Sequence, residues 1–201
     1  MIENRNLEYL FDSLKNGDFF AFYHKKWYYL FSKLIKFVSC EPIDHIAGVF
    51  DVERSGNDLF FKLGESNVGI GKHTTIYEIS RIKDENGLTI DYNIDSRFRN
   101  SGIKFFFCSN RFQISKQGNE ELKKYWNRPA NYKFTQLPFS INWIYKLFGD
   151  KKKTYDNYCN AAAFESIRPI LGLNIKDKAQ NPAQFTKNEF LKPMVRIVYD
   201  K

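Results

Sequence analysis

The sequence predicts a single α+β domain over residues 1–201, an antiparallel sheet packed against a helix that carries a cysteine in its first turn. Three observations predict it. The chain has 201 residues, of which 43% are apolar and 17% aromatic, enough to close one sizeable core. β-favouring runs bounded by turn residues recur after Asn16. The segment Tyr158 to Arg168 reads as a helix with Cys159 at its start. No internal repeat, low-complexity stretch or long linker divides the chain.

From the N-terminus, Leu7 to Leu14 predicts a short helix ending at Asn16-Gly17, and the aromatic run Asp18 to Tyr23 a buried strand. Trp27, Leu30, Phe31, Leu34, Ile35 and Val38 keep helical spacing, so Trp27 to Val38 predicts an amphipathic helix, stopped by Pro42. Ile43 to Val52 predicts a strand with His45 near its beginning. The turn Ser55-Gly56-Asn57 joins it to a second strand, Leu59 to Leu63, in an antiparallel hairpin. Gly64, Gly69 and Gly71 match neither a dinucleotide fingerprint nor a P-loop and read as a glycine-rich turn before a strand at Thr74 to Ile79. Leu88 to Ile94 and Ile103 to Cys108 predict further strands, Lys116 to Trp126 a helix, and Met194 to Tyr199 a last strand. Between them, Tyr132 to Lys153 is aromatic and irregular, and its Trp143 is a candidate for lining a substrate groove or for anchoring the core.

Lysine and arginine outnumber aspartate and glutamate by 31 to 23, a net charge of +8. Such a surface attracts anions, but the basic residues are scattered and no nucleic-acid motif accompanies them, so no specific nucleic-acid partner is expected. The basic Trp27 to Val38 helix is a candidate for peripheral membrane contact, although such a stripe more often packs on a sheet. Three cysteines, Cys40, Cys108 and Cys159, cannot all pair within one chain, and none lies in a metal-ligand cluster. Neither His24 nor His73 has partner ligands nearby in sequence; both are expected in loop-like, solvent-exposed settings, and no metal or cofactor is predicted. No secretory signal or membrane span is visible, and a reducing, cytoplasmic setting is expected.

Cys159 is the best-placed thiol for chemistry. The first turn of a helix offers the positive end of the macrodipole and unpaired backbone N–H groups, which favour the thiolate and can hold a developing oxyanion. His45, on a predicted strand, has the geometry an imidazole needs to take a thiol proton if the strand faces that helix start. Tyr158 and Tyr23 are weaker candidates for donating hydroxyls to the oxyanion site, with core packing the more common role for such residues.

The succession Asn16-Gly17-Asp18-Phe19-Phe20-Ala21-Phe22, Asp44-His45-Ile46-Ala47-Gly48-Val49, Gly64-Glu65-Ser66, Tyr158-Cys159-Asn160-Ala161 and Asn181-Pro182-Ala183-Gln184-Phe185 resembles the YiiX-like cysteine hydrolases. These are circularly permuted papain-like proteins, relatives of the NlpC and lecithin:retinol acyltransferase groups, in which the histidine strand precedes the cysteine helix. The resemblance implies Cys159 as nucleophile, His45 as general base and Glu65 as the residue that orients the imidazole, with Asp44, Asp51 or Glu53 taking that place in a different strand register. It implies cleavage of a peptide or peptidoglycan-type amide. Alternatives are a lipid-ester hydrolase or acyltransferase on the same dyad, or a non-catalytic binding or structural protein that keeps the scaffold. The chain departs from the family pattern in having Asp44 before the histidine and Asn160 after the cysteine, where serines are usual.

Overall fold

The computed structural model describes residues 4–22, 45–67, 71–100, 103–107, 114–129 and 194–196, together with Ala162, Ser166 and Ile167. In chain order these form α1 (Asn4–Ser13), β1 (Phe19–Phe22), β2 (His45–Ser55), β3 (Asp58–Asn67), β4 (Gly71–Lys83), β5 (Thr89–Ile94), α2 (Ser96–Asn100), β6 (Ile103–Phe107), α3 (Lys116–Asn127) and β7 (Met194–Arg196). The strands make one seven-stranded sheet in the order β5-β4-β3-β2-β1-β6-β7. Every neighbouring pair is antiparallel. The predicted Trp27 to Val38 helix and the Tyr132 to Lys153 segment lie outside the described residues.

Alternation along the strands sorts the side chains of the central sheet onto two faces. Phe20, Phe22, Ala47, Val49, Leu59, Phe61, Leu63, Tyr77 and Ile79 join one core cluster with Leu7, Leu10, Phe11 and Leu14 of the α1 region. Those four leucine and phenylalanine positions follow helical spacing, which is why this segment folds as an amphipathic helix. Phe98 of α2 completes the layer, its ring edge-on to Phe20, Phe61 and Tyr77 at centroid distances of 5.5, 5.8 and 5.2 Å. The short helix α2 has no counterpart among the sequence expectations, being only one turn long. The guanidinium of Arg54, on β2, donates to the carbonyls of Phe11, Asp12 and Leu14, satisfying acceptors that the end of α1 would otherwise leave unpaired.

Gly48 and Gly64 stand opposite each other in the β2–β3 ladder. A Cβ at Gly64 would lie 2.1 Å from Trp126 Cδ2, and one at Gly48 would lie 3.1 Å from Trp126 Cζ2. The paired glycines thus form the seat into which α3 lowers its indole. Ser115 caps α3 by accepting from the Gly118 N–H at 3.1 Å, and Gly118, Leu122 and Trp126 form its buried stripe. In place of the glycine-rich turn expected there, Gly64 is an interior strand residue, because β3 runs on to Asn67 and the glycine is needed for close approach rather than for turning.

The β2 strand carries a bulge between Phe50 and Glu53, where Asp51 adopts φ 56°. The Asp51 N–H donates to Asn119 Oδ1 at 3.0 Å, and its carboxylate lies 2.6 Å from both Lys62 and Lys123, which ties the bulge to α3. Burial alone would raise the Asp51 pKa, but the two lysines outweigh it and hold the carboxyl below the usual range. A carboxylate lowered on folding contributes stability above its unfolded value and loses that contribution as the pH falls through the folded one. Asparagine tolerates the same left-handed backbone, so Asp51→Asn isolates the charge. The urea midpoint of the native chain is expected to exceed that of Asp51→Asn at neutral pH and to converge with it as the pH drops below about 4. A constant difference across that range would refute the assignment.

Candidate active site

β2 begins with His45, which pairs with Phe22 across β1 and packs its ring against that phenylalanine at a centroid distance of 5.0 Å and 62°. Period-two alternation puts His45 on the face of Ala47 and Val49, and Glu65 on the face of Leu63 and Phe61. Both pairs belong to the α1-side cluster. Since Gly48 pairs with Gly64, Glu65 lies diagonally across from His45. The side chains meet: His45 Nε2 donates to Glu65 Oε2 at 3.1 Å, with only 8% and 7% of the two residues exposed. A carboxylate offers acceptors only, so the ring proton resides on Nε2, and in the neutral ring Nδ1 is then the basic nitrogen.

Glu65 also influences Tyr77, whose pKa is pushed up to about 12, first by burial and next by the nearby carboxylate charge. Its other oxygen, Oε1, lies 3.9 Å from His73 Nε2. His73 belongs to β4, directly opposite Glu65 in the β3–β4 ladder. The expectation of a loop-like, solvent-exposed His73 is therefore corrected: it is a half-buried strand residue beside the candidate site. The signal is present in the sequence. Asn67 and Gly71, and Glu65 and His73, are symmetrically placed about Gly69, and a hairpin centred there pairs them.

Of the carboxylates that could have served His45 in another register, Asp51 is engaged with Lys62 and Lys123 at the bulge, and Glu53 is exposed toward the far end of β2. Cys159, Tyr158, Tyr23, Trp143, Asp44 and His24 lie outside the described residues, as do Cys40 and Cys108. Of the helix predicted from Tyr158 to Arg168, Ala162, Ser166 and Ile167 are helical and buried. Ile167 Cγ2 comes within 3.9 Å of where a Cβ on Gly17 would stand, near the head of β1.

Among the described residues no group of three histidine, cysteine or acidic side chains is arranged to hold a metal ion. None of the described helices is long and apolar enough to cross a membrane. No family model, curated protein or solved structure matches the chain.

Proposed function

We propose that the chain is a cysteine hydrolase of circularly permuted papain-like fold, cleaving an amide of the peptide or peptidoglycan type with Cys159 as nucleophile and His45 as base. The observation that carries this reading is the buried contact of His45 Nε2 with Glu65 Oε2 at 3.1 Å. A strand imidazole held on one nitrogen by a carboxylate has a fixed orientation, a second nitrogen suited to accept a proton, and a counter-charge for the imidazolium that results. That is the supporting half of a thiol dyad.

Chain reach supports the other half. In the helix predicted from Tyr158 to Arg168, Cys159 would precede Ile167 by about 12 Å. From the Gly17 turn, where Ile167 sits, β1 advances about 16 Å to Phe22, the ladder partner of His45. A helix returning along the sheet from Ile167 would bring its first turn into the neighbourhood of the histidine.

In the reaction His45 takes the Cys159 proton and the thiolate attacks the amide carbonyl carbon, forming a C–S bond. The tetrahedral intermediate collapses with cleavage of the C–N bond as the imidazolium gives its proton to the departing amine. Water, deprotonated by the same imidazole, then hydrolyses the thioester and restores the thiol. Backbone N–H groups of the first helical turn would hold the oxyanion in both steps.

Iodoacetamide labelling across pH, with the modified cysteines identified by mass spectrometry, tests the reading. Cys159 is expected to alkylate with a thiolate profile displaced to acid relative to Cys40 and Cys108, and His45→Ala to return that profile to the range of an ordinary thiol. Uniform, slow labelling of all three cysteines would reject the hydrolase in favour of a binding protein on the same scaffold.

A further inference from the structure

We propose that His73 is a positioning residue of this site: across β3 it shares the Glu65 carboxylate with His45, and a proton on its ring draws Glu65 toward β4 and weakens its hold on His45. The inference rests on the reading above for its link to catalysis, but the coupling of the two histidines stands on geometry alone.

His45, Glu65 and His73 occupy three successive strands on one face of the sheet, with Glu65 in the middle. Its two oxygens are divided between the rings: Oε2 lies 3.1 Å from His45 Nε2 and Oε1 lies 3.9 Å from His73 Nε2. His73 has two further ring contacts. In the neutral ring Nε2 accepts from Asn67 Nδ2 at 3.4 Å, while Nδ1 donates to the Gly71 carbonyl at 3.5 Å. A second proton on the ring removes the Nε2 lone pair. The Asn67 NH2 can then no longer donate to it, and the new N–H has the Glu65 carboxylate, with Oε1 3.9 Å away, as a partner of opposite charge. The side chain of His73 is 31% exposed, so protons reach it from solvent, whereas Glu65 and His45 are enclosed.

Among the described residues, Glu65 is the anion paired with this ring. On its own strand Tyr77 stays protonated, its pKa pushed up to about 12, and Lys72 is directed over the Tyr125 ring of α3 at 3.5 Å. Arg97 of α2 lies over Tyr77 and is paired with Asp95 at 2.5 Å. The two imidazoles face opposite oxygens of one carboxylate. Protonating the outer ring makes a positive charge on the inner ring less favourable.

The test uses the intact chain, which has only three histidines. Their ring signals are followed by NMR across pH in the native protein, in His73→Gln and in Glu65→Gln. The glutamine introduced by His73→Gln keeps a neutral polar side chain and cannot gain a proton. In the native chain the His45 signals are expected to show a second inflection coincident with the His73 titration, lost in His73→Gln and diminished in Glu65→Gln. In parallel, iodoacetamide labelling of Cys159 near pH 6 is expected to be about threefold faster in His73→Gln, with the two proteins converging at alkaline pH. A merely structural role would change the rate without changing the shape of the profile. An identical single-step His45 titration in native and His73→Gln proteins would overturn the proposal. Coupled histidines beside an unreactive Cys159 would uphold it and retire the cysteine reading instead.

Discussion

Replacing His45 by alanine is expected to slow acylation of Cys159 by p-nitrophenyl acetate about 10²- to 10⁴-fold at neutral pH, the range that a positioned base contributes. The Glu65 contact is the reason. On the proposed mechanism a ring anchored at Nε2 would need no reorientation before accepting a proton at Nδ1, and the carboxylate would stabilise the imidazolium formed in the same step. Glu65→Gln separates the two contributions. A glutamine carbonyl still accepts from Nε2 and keeps the ring oriented, but it carries no charge, so a smaller loss on the order of tenfold is expected, the difference between a charge-assisted and a neutral hydrogen bond. Stopped-flow measurement of the p-nitrophenol burst reads both variants. Acylation of His45→Ala at the native rate would eliminate His45 as the base, whatever Glu65 does.

The largest expected effect on stability belongs to the seat of Trp126. Truncation to alanine should cost about 3–5 kcal/mol, as for other fully buried large aromatics. Its Nε1 has no hydrogen-bond partner among the described residues, so shape rather than polarity holds the indole in place. Gly64→Ala should be of similar severity, since the added methyl would stand 2.1 Å from Trp126 Cδ2 with the β2–β3 ladder fixing it from below. The two costs should not add. In Trp126→Ala the whole indole is gone, and Gly64→Ala in that background is expected to cost at least about 1 kcal/mol less than in the native chain. Urea denaturation of the four proteins in this cycle gives the coupling directly, and additive costs would show that the glycine serves some purpose other than admitting the indole.

Much of this sheet is legible in the residues. The aromatic run at Phe19–Phe22, the two-residue turn between Ser55 and Asp58 and the apolar spacing of Leu7, Leu10, Phe11 and Leu14 each express a local rule of period or turn chemistry. Glycines mislead where the rule has two meanings: Gly64 has the composition of a turn and the function of a seat. The same ambiguity obscures His73, because placing Gly64 to Gly71 in a loop removes the ladder that sets His73 against Glu65.

By itself the sequence determined the element types of the sheet, the adjacency of β2 and β3, and the candidacy of His45, while Glu65 entered only through a resemblance. The tertiary structure decided which carboxylate reaches His45, that Asp51 is held by Lys62 and Lys123 instead, and that His73 is a neighbour of the pair. The reason is register. Periodicity along one strand says which face a side chain takes, but which residue stands across from it depends on pairing with another strand, and a bulge such as that after Phe50 changes the count without any mark in local composition.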